Sequence, residues 1–256
     1  MSDRLSGKVA VVTGSTSGIG AVIAQVMAAE GAAVVVSGRR AEQGEAVVNG
    51  ILEAGGNAVF HQADLSTTSE CALLCDRAHR EFGGLDILVN NAGIFPEASF
   101  EDTTPELWDE VMGLNAKAAF FCAQAAVPFM KTRDGGSIIN VGSTHPFGAG
   151  GNQFVYGVSK GTMLTLTRKL AMLLAKDKIR VNWISVGWVL SEQERALRNV
   201  PEDDAEWIAR HQEYIPMREF TTSEDVAASC LYLAADSGRH VTGTDIGVNS
   251  GISIHM

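Results

Sequence analysis

The chain has 256 residues, 46% of them apolar, and a formal net charge of −10. That much apolar material supplies the core of one large α/β domain or two small ones, and the acidic balance argues against a broad nucleic-acid or anionic-membrane surface. No apolar run approaches the ~20 residues of a membrane span, and because MSDRLSGKVAVV leads straight into an expected strand, no signal peptide is expected.

In chain order, strands are expected at 8–13, 33–37, 57–62, 86–90, 137–142, 178–184 and 245–249. Most are continuous β-branched runs, the pattern of strands covered on both faces. Helices are expected between them at about 18–30, 40–54, 69–82, 105–130, 153–176 and 223–235. Thr104-Pro105 supplies a cap and a proline at the first helical position. Ser223-Glu224-Asp225 puts a cap and early negative charge at the start of the last helix. Seven strands with right-handed crossovers give an α/β doubly wound (Rossmann) parallel sheet, a single domain over 1–256. The charged, aromatic-bearing segment 190–220 falls between the sixth strand and the last helix. At that place it forms either a lid over the ligand crevice or a surface helical pair.

Cys71, Cys75, Cys122 and Cys230 show no metal-ligand clustering. The six histidines form no H-x-x-x-H pair, so no metal site is expected. Cys71 and Cys75 share one helix face, as packing residues or free thiols do, and a reducing, cytoplasmic setting is the default.

After the first strand comes T-G-S-T-S-G-I-G at 13–20, in which Gly14, Ser15, Thr16, Ser17, Gly18, Ile19 and Gly20 turn into a helix. Glycines let the backbone turn tightly and approach a pyrophosphate, and the helix N-terminus offers it free N–H groups. An acid at the end of the second strand would take a ribose 2′-hydroxyl and favour NAD. The sequence there is V-V-V-S-G-R-R, with Ser37, then Gly38 in the place of the acid, then Arg39 and Arg40. A guanidinium binds a 2′-phosphate through two parallel charge-assisted bonds, so the pattern favours NADP over NAD. The alternative is that the arginines form a solvated helix start.

Tyr156 and Lys160 lie four residues apart in Y-G-V-S-K, on one face of the expected helix. A phenol with a free pKa of about 10 is too weak an acid for easy proton exchange at neutrality. An ammonium about 4 Å away, at an effective dielectric of ~20, lowers it by on the order of 3 units at most. Ser143 lies thirteen residues before the tyrosine.

These motifs occur together and in order with A-D-L (63–65), N-N-A-G (90–93), Asn115 in V-M-G-L-N-A, I-I-N-V-G-S (138–143) and R-V-N-W-I-S-V-G-W-V (180–189). Over essentially its full length the chain resembles the short-chain dehydrogenase/reductase family, in its compact form of about 250 residues. The resemblance implies that Tyr156 is the catalytic acid/base. Lys160 lowers its pKa and holds the nicotinamide ribose, and Ser143 orients the substrate oxygen. Asn115 fixes a water that links Lys160 to solvent. Asp64 and Leu65 flank the adenine, Asn91, Ala92 and Gly93 line the cofactor, and Gly187, Val189 and Ser191 approach its carboxamide or phosphate. It places a basic residue where Arg39 stands in NADP-preferring members. It also implies a homotetramer or homodimer built through helices 105–130 and 153–176.

Val186-Gly187 stands where the family reads P-G, Ser191 where it commonly has threonine, and V-N-S-G replaces V-D-G-G near the end. None of these touches the Asn115, Ser143, Tyr156, Lys160 set. His145, Asn152, Gln153 and Trp188 are candidate substrate contacts, with Phe95 and Phe147 nearby; His145 alternatively caps local backbone. The mixture suits a small polar molecule such as a sugar, a hydroxy acid or a 3-oxoacyl compound. An NADP-dependent alcohol/ketone oxidoreductase is therefore expected. The alternative is a catalytically inactive dinucleotide sensor on the same fold, and it leaves the activated phenol without a purpose.

Overall fold

The computed structural model describes residues 3–148, 151–200 and 204–255. Seven parallel strands form one sheet in the order β3-β2-β1-β4-β5-β6-β7. They are β1 (Val9–Val12), β2 (Ala33–Gly38), β3 (Asn57–Gln62), β4 (Ile87–Asn90), β5 (Gly136–Val141), β6 (Ile179–Val186) and β7 (Asp245–Val248). The order reverses between β1 and β4, and that switch point opens a crevice at the carboxyl ends of the strands.

The strand pleat explains the continuous apolar runs. In β1, Ala10 and Val12 face one layer while Val9 and Val11 face the other. The first layer holds α1 (Gly18–Ala29), α2 (Ala41–Glu53) and α9 (Ser223–Ala234), with Ile23, Met27, Val226 and Leu233 in its core. The second holds α3 (Thr68–Phe82), α5 (Ala118–Thr132) and α6 (Phe154–Leu174), with Leu74, Cys75, Cys122, Met130 and Leu174. A strand buried on both sides has no polar face, hence no alternation. All four cysteines are buried and unpaired, and Cys122 of α5 lies against the Cys71, Cys75 face of α3.

Two local expectations are corrected. The helix expected at 105–130 is three pieces: α4 (Pro105–Met112), a π-helical turn (Gly113–Lys117) and α5. Thr104 does cap it, accepting from the Leu107 amide at 3.2 Å. The cap of α9 is Thr222 rather than Ser223: Thr222 Oγ1 accepts from the Asp225 amide and the Asp225 carboxylate accepts from the Thr222 amide. That reciprocal box stabilises both ends of the turn, which a cap at Ser223 would not. Segment 190–220 contains α7 (Glu192–Arg198) and α8 (Ala205–Gln212); its residues 201–203 lie outside the described residues. No helix among the described residues is long and apolar enough to cross a membrane.

Candidate active site

The glycine turn is built from the backbone outward. Gly14 and Gly18 have φ of 62° and 55°, where side chains are strained, and a β-carbon on Gly14 would stand 2.8 Å from the Ala92 Cα. Asn91 straps the turn from the end of β4: its Nδ2 donates to the Thr13 and Gly14 carbonyls, each at 3.0 Å. Thr13 Oγ1 in turn accepts from the Asn91 and Ala92 amides at 2.9 and 3.0 Å. Ser17, at the N-cap of α1, makes no side-chain capping bond, and the first turn carries no acid. Its amides are therefore open to an anion.

Ser15 ties this turn to β2, because its Oγ accepts from the Ser37 amide at 2.9 Å. Ser37 Oγ is buried with no protein partner, a polar atom that awaits a ligand. Arg40 reaches back over the turn, donating to Thr16 Oγ1 at 3.1 Å and to Ser17 Oγ. Arg39 points outward, with its carbonyl accepting from Gln62. Asp64 accepts from the Ser66 amide at 3.1 Å, and Ser66 holds its carboxyl below the usual carboxylate range, with the Arg39 charge helping. Leu65 beside it is buried. The open glycine turn, the orphaned Ser37 hydroxyl and the paired arginines fit a dinucleotide.

On the other side of the crevice Asn115, Ser143 and Lys160 are 0%, 6% and 4% exposed, so their polar atoms need internal partners. Asn115 sits in the π-helical turn. Its Oδ1 accepts from the Ile94 amide at 2.8 Å, and its Nδ2 donates to the Ile94 carbonyl at 2.8 Å and to Ser159 Oγ at 3.0 Å. Ser159 Oγ then donates to the Tyr156 carbonyl at 2.7 Å. Lys160 Nζ donates to the Val141 carbonyl at 2.9 Å and lies 5.6 Å from the Tyr156 ring centroid. Ser143 Oγ shares a 2.9 Å bond with His145 Nδ1 and accepts from the His145 amide at 3.2 Å, close enough to the Tyr156 phenol to act on it. Gly142 before it has no β-carbon, and one would run into the Trp183 ring packed under the strand end.

The electrostatics correct an expectation. Tyr156 keeps some surface, but burial of its hydroxyl pushes the phenol up to about 12, against which Ser143 pulls down. Burial also takes Lys160 down to about 8. The lysine Nζ stands 5.6 Å from the ring centroid, and desolvation outweighs the acidification expected from a neighbouring cation. Burial likewise lowers His145.

Tyr156 is flanked edge-on by His145 and Phe95, at 5.0 and 6.0 Å between ring centroids. Gln153 donates to the Phe95 carbonyl at 3.0 Å and lies close enough to act on the His145 imidazole. Asn152 lies at the exposed rim, its carbonyl accepting from the Ala98 amide at 2.5 Å. Trp188 packs edge-on against Trp207, His211 and Phe220 of segment 190–220 at 5.8, 5.5 and 5.2 Å. Gly187 abuts Asn249, whose Cα would be 2.5 Å from an added β-carbon. Val189 packs on the core, and Ser191 caps α7 and faces Gly18.

Several contributors carried no signal of their own in the sequence. Ser159 lay unremarked inside Y-G-V-S-K. Asn90, Asn140 and Thr167 form a buried chain of bonds, 2.9 Å from Asn90 Nδ2 to Asn140 Oδ1 and 2.8 Å from Asn140 Nδ2 to Thr167 Oγ1, that fixes α6 against the sheet. Glu194 and Arg198, at the crevice roof, are two charges in a charge-rich segment. Among the described residues, no three His, Cys, Asp or Glu side chains gather where a metal ion would be held.

A family profile described as Enoyl-(Acyl carrier protein) reductase matches residues 14–253. The chain is 36% identical to a D-beta-hydroxybutyrate dehydrogenase of Cupriavidus necator, across 96% of this chain and 98% of that one. It is 36% identical to the NADP-dependent (R)-specific alcohol dehydrogenase of Lentilactobacillus kefiri, across 98% of both. A solved structure from Sinorhizobium meliloti 1021, provisionally described as a short-chain alcohol dehydrogenase, superposes with a TM-score of 0.91 at 35% identity and 98% coverage of each chain. Another from Beutenbergia cavernae, provisionally described as an NAD(P)-dependent gluconate 5-dehydrogenase and holding NADP at low occupancy, gives 0.90 at 32% identity, covering 98% of this chain and 99% of that one.

Proposed function

The chain belongs to the short-chain dehydrogenase/reductase family, and from that premise we propose that it interconverts a secondary alcohol and a ketone on a small polar substrate, with NADP(H) as cofactor and Tyr156 as the proton-handling group. It is an NAD(P)-dependent oxidoreductase acting on CH–OH groups. The observation that carries the finer reading is the convergence of Ser143, Tyr156, Lys160 and Asn115 beside the glycine turn.

The bound nicotinamide would supply the hydride, with Lys160 and the Asn91–Gly93 stretch holding it. The chain's own residues manage the proton. Ser143 orients the substrate oxygen against the phenol, and alignment of this kind accounts for much of such catalysis. A phenol held near 12 stays protonated at neutral pH, so Tyr156 is loaded as a donor to the carbonyl oxygen. Lys160, with a pKa of about 8, refills it through water. Asn115's amide is spent on Ile94 and Ser159, so the water is held by the backbone of the π-helical turn.

NADP is favoured because no acid ends β2 to repel a 2′-phosphate, and Arg39 and Arg40 stand ready to bind one. Segment 190–220 acts as a lid of the same domain, which its aromatic packing on Trp188 supports. Relatives are named for hydroxybutyrate, alcohol and hydroxysteroid substrates, so kinship leaves sugars, hydroxy acids and 3-oxoacyl compounds all in play. Self-association as a dimer or tetramer across α5 and α6 goes with the same reading; Phe120 and Leu166 line one groove there. The test is NADPH and NADH oxidation against a panel of ketones. Turnover with NADPH preferred is expected; tight NADPH binding with no ketone reduced would contradict the enzymatic reading and favour a sensor.

A further inference from the structure

His145 touches the hydroxyl that meets the reacting oxygen, and the catalytic set gives it no task. Ser143 Oγ shares a 2.9 Å bond with His145 Nδ1 and accepts from the His145 amide at 3.2 Å. The imidazole stands edge-on to the Tyr156 ring at 5.0 Å between centroids. Ser143 is 6% exposed, so its hydroxyl must find its partners inside the site.

A serine hydroxyl has one hydrogen and two lone pairs. The His145 amide fills one lone pair. What remains depends on Nδ1. When Nδ1 carries a proton it fills the second lone pair, and the hydroxyl hydrogen is free for the reacting oxygen. When Nδ1 is bare it takes that hydrogen, and Ser143 turns a lone pair toward the reacting oxygen instead. A ketone oxygen only accepts, so it pairs with the first arrangement and is repelled by the second. An alcohol can donate into the second.

The surroundings decide which arrangement holds. The Gln153 amide nitrogen donates to the Phe95 carbonyl at 3.0 Å, and Gln153 favours the protonated imidazole, which is the action of its amide oxygen. With Nδ1 turned to Ser143, the nitrogen left for that oxygen is Nε2. Burial lowers the His145 pKa, so the ring is largely neutral near neutrality. The charged and titratable groups that face or act on it are Tyr156 and Lys160 of α6 and Glu194 and Arg198 of α7. Glu194 is itself held by Trp188 Nε1 at 2.8 Å.

Resting on the alcohol/ketone reading above, we propose that His145 is a positioning residue that acts through Ser143: with Nδ1 bare the site receives the alcohol, and with Nδ1 protonated it receives the ketone. A neutral ring keeps its one proton on Nε2, toward Gln153, and Ser143 then accepts from the alcohol. A cationic ring carries a proton on both nitrogens, so acid turns the Ser143 hydrogen toward a ketone.

The test reads the ring first and then the reacting oxygen. Nitrogen NMR of the histidine rings uses the full chain saturated with NADP⁺, the His145 signals being those absent in His145→Asn. At about pH 7 the ring is expected to be neutral, with its proton on Nε2 and Nδ1 accepting a bond. Ser143→Ala should move the Nδ1 signal to that of an unbonded acceptor. Calorimetry then follows 4-hydroxy-2-butanone binding to the protein with NADP⁺ and 1,3-butanediol binding to the protein with NADPH, complexes that form but do not react. From about pH 7 to about pH 5 the ratio of ketone to alcohol affinity is expected to rise roughly fivefold or more, and to change by less than about twofold in both His145→Asn and Ser143→Ala. A neutral ring protonated on Nδ1, a flat ratio in the unaltered protein, or binding of neither compound overturns the proposal. So does a rise that persists in Ser143→Ala, because the ring would then act on the ketone without the serine. Failure of every ketone to oxidise NADPH while the ring pattern and the ratio hold contradicts the enzymatic reading alone.

Discussion

Gly38 and Thr16 are in contact: a β-carbon at position 38 would lie 2.7 Å from the Thr16 Cγ2. The end of β2 therefore has no room for the acidic side chain that would hold a ribose 2′-hydroxyl. Gly38→Asp is expected to weaken NADPH binding by about 100-fold without a matching gain for NADH, since the new carboxylate must displace the glycine turn. Adding Thr16→Gly should restore NADH binding in the double variant. Dissociation constants for both cofactors check this, and a gain for NADH in Gly38→Asp alone would contradict it.

Arg39 and Arg40 divide the work at the proposed 2′-phosphate site. Arg40 is already placed by Thr16 and Ser17, whereas Arg39 is exposed beside Asp64. A hydrogen bond to a charged group is worth about 1.5–3 kcal/mol, or roughly 10- to 150-fold. Arg39→Asp removes the bond and adds repulsion, so the ratio of kcat/KM with NADPH to that with NADH should invert. Arg40→Ala should lower the same ratio about tenfold. An unchanged ratio in either variant refutes the assignment of that arginine.

The pH profile follows from opposite shifts of two buried neighbours. The Lys160 ammonium, at about 8 rather than its ordinary 10.5, is charged at neutral pH and lost as pH rises through about 8. The phenol, at about 12, stays protonated across that window. In the reductive direction kcat/KM for the cofactor should be flat near neutrality and fall ~tenfold per pH unit above about 8. A descending limb near 10 would contradict the burial shift of Lys160, and no descending limb at all would mean that the lysine is not the proton supply.

Asn115 ties the π-helical turn to Ile94, in the loop after β4, through two side-chain bonds and to Ser159 of α6 through a third. Asn115→Ala leaves the Ile94 amide and carbonyl without their partner, while Ser159 keeps its bond to the Tyr156 carbonyl, and should cost about 2–4 kcal/mol. The urea midpoint should drop with the slope unchanged. An unaltered midpoint would show that these bonds do not hold the turn.

The sheet was legible because burial on both faces writes itself as unbroken Val/Ile runs: the strand expected at 57–62 is β3, and 137–142 is displaced from β5 by a single residue. The π-helical turn was not, since Gly113–Lys117 has no composition that separates it from an α-helix, and the bond from the Ile94 amide to Asn115 within it is made far along the chain. Tyr156 and Lys160 were found by their spacing, yet spacing says nothing of burial, and burial decided the direction of both pKa shifts. Glu194 was hidden because a charge in a charged segment reads as solvated until its contact with Trp188 is seen.

The most direct measurement is steady-state and binding analysis of Tyr156→Phe, which removes one hydroxyl and leaves the ring between His145 and Phe95. Ketone-dependent NADPH oxidation should fall by at least ~10³-fold, the upper range for a lost general acid, with the NADPH dissociation constant within about threefold of the unaltered protein. Turnover within about tenfold of the unaltered protein would mean that the proton reaches the substrate by another route.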